Sequence, residues 1–202
     1  ALPGGKAGRT VQAGPSDEEL LGALERGDGA IAGALYDRLI GPVDRAVVRV
    51  FGRREQDHDD IVQSAFEQIV LTLSRRRFAR ACSLATWASS IASHVALNAL
   101  RSRRRERRVL SGMDDDRGAD GEVHPIDTER RLGARADVQR LREELAAMIP
   151  ERAEALFLHD VLGHELAEIS VILGISVSAA QSRLVRGRKD LMERLAANKE
   201  TP

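Results

Sequence analysis

The run Leu166-Ala167-Glu168-Ile169-Ser170-Val171-Ile172-Leu173-Gly174-Ile175-Ser176-Val177-Ser178-Ala179-Ala180-Gln181-Ser182-Arg183-Leu184 carries two apolar stripes separated by one glycine turn. Leu166, Ile169, Ile172 and Leu173 recur at helical spacing and form the inner stripe of a short helix. Gly174 supplies the turn, Ile175 plugs it, and Ser176 or Ser178 can cap a second helix. In that helix Val177, Ala180, Leu184, Leu191 and Leu195 share one side. At about 100° per residue, the opposite face carries Ser178, Ser182, Val185, Arg186 and Lys189, with Gln181 and Arg183 on its flanks. Small polar residues lead and cations follow. That order suits a recognition helix whose first residues touch base edges while later cations grip phosphates. An ordinary αα-hairpin with a charged face is the alternative. Turn, stripe and polar face agree on a helix-turn-helix.

Upstream, the same 3.6-residue period recurs without β-alternation or internal repeats. Val138, Leu141, Leu145 and Met148 make one helix, ended by Pro150. Ala155, Leu158, Val161 and Leu162 make the next, ended by Gly163, so a small helical domain spans 136–197. Residues 111–135 are Gly/Asp-rich and poor in apolar side chains; they cannot bury a face and read as an acidic, flexible linker. Before it, residues 16–110 hold a helical bundle. Ser16-Asp17-Glu18-Glu19 is a capping box, followed by Leu20, Leu21 and Leu24. A second helix, about Ala30–Ile40, is expected to break at Gly41-Pro42, with Pro42 in the first turn of a third. A fourth covers about 59–74. A long helix from Leu84 to about Arg108 is apolar on more than one side, which places it centrally. Residues 1–15 read as a disordered tail. The expected architecture is therefore all-α: two small helical domains joined by a flexible acidic linker.

Composition narrows the function classes. The 202 residues include 31 basic and 31 acidic side chains, a formal net charge of zero. That balance argues against a nucleic-acid binder only if the charges are mixed, and they are not. Residues 101–108 carry six Arg against one Glu, residues 75–80 carry four Arg, and Arg183, Arg186, Arg188 and Lys189 fall within one short run. Asp114-Asp115-Asp116, Asp120, Glu122 and the 55–60 patch balance them. Local clusters, not the net value, set phosphate affinity. Aromatics are only 3%, which argues against an aromatic-rich β-sandwich or a stacking platform. The single cysteine, Cys82, forms no intrachain disulfide and fits a reducing cytoplasm. No apolar run approaches the roughly 20 residues of a membrane span, and no signal-peptide core is visible at the N-terminus. Control by an appended C-terminal sensor domain is not expected, because the chain ends soon after the helix-turn-helix.

Three stretches together resemble the extracytoplasmic-function (ECF) group of the sigma-70 family, the promoter-reading subunits of bacterial RNA polymerase. Asp57-His58-Asp59-Asp60-Ile61-Val62-Gln63-Ser64-Ala65-Phe66 is similar to the family's polymerase-binding helix, region 2.2. Thr86-Trp87-Ala88 through Ile91-Ala92-Ser93-His94-Val95-Ala96-Leu97-Asn98-Ala99-Leu100-Arg101, with the Arg run, resembles the −10-reading regions 2.3 and 2.4. Gly174 through Lys189 resembles the −35-reading region 4. There are departures: Ser64 stands where an acid is usual, His94 for Asn, Asn98 for Asp, and Gln181 for a cation. They bear on which promoter is read.

The resemblance implies roles. Asp60, Gln63, Phe66 and Glu67 would dock on the clamp coiled coil of the polymerase, although Phe66, like Ile61 and Ala65, also suits the core. The loop from Phe78 to Ser83 would take a flipped −10 base. His94, Asn98 and Arg101, at i, i+4 and i+7, would meet the −10 duplex edge or strand. Trp87 lies on the apolar stripe, where core packing competes with base contact. Arg104 and Arg105, with Arg103, Arg107 and Arg108, would hold backbone phosphates. Ser178, Gln181, Ser182 and Arg183 would face −35 bases, and Arg186, Arg188 and Lys189 the phosphates. The linker residues Asp114–Glu122 would thread the polymerase cleft. Expected partners are core RNA polymerase, promoter DNA and an anti-sigma factor.

No enzymatic site, metal site or cofactor is expected. His164-Glu165-Leu166-Ala167-Glu168 has Glu168 where a zinc-protease helix needs its second His, and no nucleotide-binding signature is present. Two other readings compete. A dimeric helix-turn-helix regulator would bind DNA tightly without polymerase. A sigma mimic would bind an anti-sigma factor with no dependence on Arg183 or Arg186.

Overall fold

The computed structural model describes residues 14–76, 78–80, 82–110 and 128–197. Most of the expected tail and the Asp114–Glu122 linker lie outside these residues. Among them the secondary structure is entirely helical, in eight α-helices. Four form the first domain: α1 (Asp17–Glu25), α2 (Ile31–Phe51), α3 (His58–Ser74) and α4 (Leu84–Leu110). Four form the second: α5 (Thr128–Ala147), α6 (Pro150–Leu156), α7 (Leu166–Leu173) and α8 (Val177–Ala197). A π-turn, Phe157–Val161, extends α6.

Local sequence explains most element ends. The capping box forms: Ser16 Oγ accepts the Glu19 amide at 3.3 Å, and the Ser16 amide donates to Glu19 Oε2 at 2.7 Å. Pro150 sits in the first turn of α6, where its missing N–H costs nothing. Gly174 ends α7 with φ +64°, the left-handed region that glycine enters freely. Ser176 Oγ then accepts the Ala179 amide at 3.2 Å and caps α8.

Two expectations are corrected. The break at Gly41-Pro42 does not occur; α2 is one helix with Pro42 inside it. Leu35, Leu39, Val43, Ala46, Val47 and Val50 continue in phase across the proline, and all are buried. Continuing that stripe against α4 outweighs one missing backbone hydrogen bond. Helix α5 also begins earlier than expected, at Thr128 rather than near 136.

Helix α4 is the axis of the first domain, packed mainly on α2 and α3. Ala88, Ala92 and Ala96 are wholly buried and let α2 approach closely. Ser90 and Ser93 are buried too, and their hydroxyls bond carbonyls of their own helix at 2.7 and 2.8 Å. In the second domain α6 packs on α8 through Gly187, where a Cβ would stand 2.9 Å from the Arg152 carbonyl oxygen. The chain turns through 103° between α7 and α8, within the range of helix-turn-helix pairs. Among the described residues no single helix is long and apolar enough to cross a membrane.

Candidate nucleic-acid interface

Helix α8 presents the first surface. Its inner side buries Ala180, Leu184 and Gly187, which fixes the outward direction of the rest. Ser178, Gln181, Ser182, Arg186 and Lys189 are exposed and Arg183 is half-buried. Val185 stands among them, 58% exposed. Arg188 differs from its neighbours. Its Nε donates to Asp160 at 3.0 Å, and it holds the Asp160 carboxyl below the usual carboxylate range. It braces α8 against the π-turn.

The second surface is α4 with the loop before it. His94, Asn98 and Arg101 share a face as their spacing requires, and they are bonded in series. His94 Nε2 lies 2.9 Å from Asn98 Nδ2, and Arg101 donates to Asn98 Oδ1 at 2.8 Å. His94 Nδ1 is 2.7 Å from Glu154 Oε1. That carboxylate raises the imidazole pKa, against opposing effects of burial and of Arg101. Burial pushes the Arg101 guanidinium pKa down. Arg104 donates to the Glu143 carbonyl, Arg105 is exposed, and Arg103 is held by Asp57 while lying 4.5 Å above the Phe51 ring. Trp87 is only 7% exposed and meets the Phe78 ring at a tilt, 4.9 Å between centroids, so the tryptophan belongs to the core and Phe78 forms its outer wall. Two non-glycine residues in the adjoining loop, Arg76 (φ +53°) and Arg80 (φ +56°), adopt left-handed backbone. Such strain persists only where the surroundings impose it; Arg80 is tied to Glu25 at 2.8 Å. Burial raises the pKa of the Cys82 thiol, and Glu168 adds to the effect.

The third surface is a groove of about 1060 Å³ between α1, α2 and α3. Leu24, Ile31, Leu35, Tyr36, Phe66 and Val70 line it, with Asp59 and Gln63 at its polar edge. Gln63 donates to Glu67 at 3.1 Å, Asp60 and Glu67 are exposed, and Ile61 and Ala65 are core. Tyr36, half exposed and 4.9 Å from the Phe66 ring, completes the apolar floor. Sequence reasoning passed over Tyr36; its position outside the α2 stripe was the available signal. No cluster of three His, Cys, Asp or Glu side chains suited to a metal occurs among the described residues.

The family model described as Sigma-70 region 2 matches residues 35–106, and that described as Sigma-70, region 4 matches residues 138–191. The chain belongs to the sigma-70 family. Within that family it is an ECF sigma factor, a transcription-initiation factor and not an enzyme. The region 2 match runs from the start of the α2 stripe at Leu35 into the Arg run of α4, and the region 4 match from α5 into α8. The RNA polymerase sigma factor NccH of Alcaligenes xylosoxydans xylosoxydans is 29% identical over 178 residues, 87% of this chain and 92% of that protein. The probable RNA polymerase sigma-C factor of Mycobacterium bovis is 28% identical over 134 residues, 66% of this chain and 68% of that protein. The solved structure of CnrH in complex with the cytosolic domain of CnrY aligns with TM-score 0.52 at 23% identity, covering 91% of this sigma factor and 99% of that chain. This likeness is one of fold.

Proposed function

We propose that this sigma factor binds core RNA polymerase through the α1–α3 groove and directs it to promoters, reading the −10 element with α4 and the −35 element with α8. The observation that carries the reading is the outward face of α8. Its buried Ala180–Leu184–Gly187 side leaves Ser178, Gln181 and Ser182 leading and the cations following, in the orientation a major groove requires. The groove supports the docking half. An apolar floor with Asp59, Gln63 and Glu67 at the edge suits the ridge of a partner helix. The same floor would accept an anti-sigma factor, in keeping with CnrH having been solved with a protein partner.

In this reading Phe78 and the strained loop receive an unstacked base, and His94, Asn98 and Arg101 meet the opened −10 segment. Arg104 and Arg105 hold phosphates without reading sequence. Neither DNA-facing module needs high affinity alone. Engaged together on one polymerase, each raises the local concentration of the other. Run-off transcription with core polymerase on a library of genomic fragments tests the proposal. Promoter-dependent transcripts are expected. Their absence, or tight DNA binding that ignores polymerase, would favour a stand-alone helix-turn-helix regulator.

A further inference from the structure

Helix α1 is tied at both ends to the segment between α3 and α4. At its start, the Asp17 carboxylate accepts the Leu84 amide, where that segment enters α4. At its end, Glu25 Oε1 accepts a hydrogen bond from Arg80 Nη2 at 2.8 Å. We propose that Glu25 is a specificity-determining positioning residue: through Arg80 it holds the loop around Phe78 in the form that selects the unstacked −10 base. This rests on the base-receiving role proposed for the loop and adds the residue outside it that sets its shape.

The loop does not reach that form by local preference. Arg76 and Arg80 bracket Phe78, and both have φ in the left-handed region, where Cβ crowds the following carbonyl. Neither is a residue that enters that region readily. Such backbone persists only where the surroundings over-determine it. Arg76 is held by its own helix, its amide donating to the Leu73 carbonyl at 2.9 Å. Phe78 is held on its inner side by the Trp87 ring. Ser83 fixes the exit, its Oγ accepting the Thr86 amide at 3.1 Å. Arg80 takes its hold from α1 instead, through Glu25.

Glu25 is a poor choice for stability. It is the last residue of α1, where the helix dipole disfavours an anion, and no cation stands within that turn. Its pair with Arg80 is about half exposed on both sides, 47% and 52%, and such a pair adds little to folding. A side chain that offends its own helix and adds little to the fold marks a functional position. Arg80 is thereby directed at Glu25, whereas Arg75 and Arg76 are exposed and face solvent, where a strand's phosphates would lie.

Core polymerase reconstituted with the full chain is offered a single-stranded DNA pool with a randomised central stretch, and the bound and unbound fractions are sequenced. The wild type should prefer one base at one position of the selected motif by roughly tenfold or more. Glu25→Gln, which keeps the shape and removes the charge, should flatten that preference by roughly fivefold, the most that an exposed pair delivers. The rest of the motif and the affinity for core polymerase should not move. Arg80→Gln should do the same, and the double variant should be no worse than either single, as when one residue acts through the other. An unchanged preference in Glu25→Gln overturns the proposal. So does a loss spread evenly over the motif with a lowered thermal midpoint, which makes Glu25 merely structural, or additive effects in the double variant. If the wild type selects no motif, the base-receiving role beneath the proposal falls; if wild type and variants select the same motif equally well, only the role of Glu25 falls.

Discussion

The carboxylate of Asp17, the first residue of α1, accepts the backbone N–H of Leu84, the first residue of α4, at 2.8 Å. Its other oxygen takes Arg38 of α2 at 3.2 Å. One side chain thus ties α1 to α2 and caps the central helix of the first domain. Asp17→Ala should lower the unfolding free energy by about 0.5–2 kcal/mol, the range for a lost N-cap, measured by urea denaturation. The exposed Arg38 pair adds little. An unchanged midpoint would show that the cap is dispensable.

Arg183→Ala with Arg186→Ala should abolish promoter-dependent transcription while leaving co-purification with core polymerase intact. The lost Arg186 phosphate contact should also reduce the salt slope of promoter binding by about 0.9. Loss of polymerase binding by the double variant would put α8 at the protein interface instead.

Phe66→Ala or Gln63→Ala should weaken core polymerase binding about tenfold or more, in the manner of residues central to an interface. Neither should change the salt dependence of DNA binding by the free protein. A fluorescence titration with core enzyme measures this. Equal affinity for wild type and both variants would move the docking site away from the groove.

Gly187→Ala should destabilise the second domain although alanine favours helix. The gain in propensity is at most about 1 kcal/mol. A methyl group 2.9 Å from the Arg152 carbonyl forces α6 and α8 apart, an overpacking cost of about 1–3 kcal/mol. Thermal unfolding followed by circular dichroism gives the sign.

His94 supplies a pH dependence. Glu154 raises its pKa above the ordinary value near 6.5. Burial and Arg101 oppose that shift without reversing it. Glu154 on α6 and Arg101 on α4 are the charged groups that act on it, and Glu151 on α6 and Arg105 on α4 act in turn on Arg101. A raised folded-state pKa means the stabilisation is complete below the unfolded value and is lost as pH rises through the folded one. The contact between the domains should therefore loosen on going from about pH 6 to pH 8.5. Imidazole NMR titration of wild type against Glu154→Gln checks it; identical midpoints would show that Glu154 does not act on His94.

Much of this was legible in the sequence because the signals were local. The α7 and α8 boundaries follow from Leu166 and Ile169, from Gly174, and from a serine cap, none of which needs a distant partner. The Gly41-Pro42 break misled because a proline's cost is local while the stripe from Leu35 to Val50 that overrides it is tertiary. The role of Asp17, and that of Arg142, which donates to the Val50 carbonyl at the end of α2 at 3.0 Å, were invisible for the same reason: each acts on a helix end far away in the chain. Trp87 could be left between core and contact by its spacing alone, and only packing against Phe78 decides it. Arg188 reads as one more phosphate cation until Asp160, on another element, is seen to hold it.

The hydrogen-bond series from Glu154 through His94, Asn98 and Arg101 to the Pro150 carbonyl ties two properties to one set of side chains. A substitution at any of the three α4 residues also alters the contact with α6. If α4 reads bases as proposed, a change of target there calls for a matching change on α6. If α8 reads bases as proposed, its exposed Ser178, Gln181 and Ser182 lie outside that series and can change with fewer side effects.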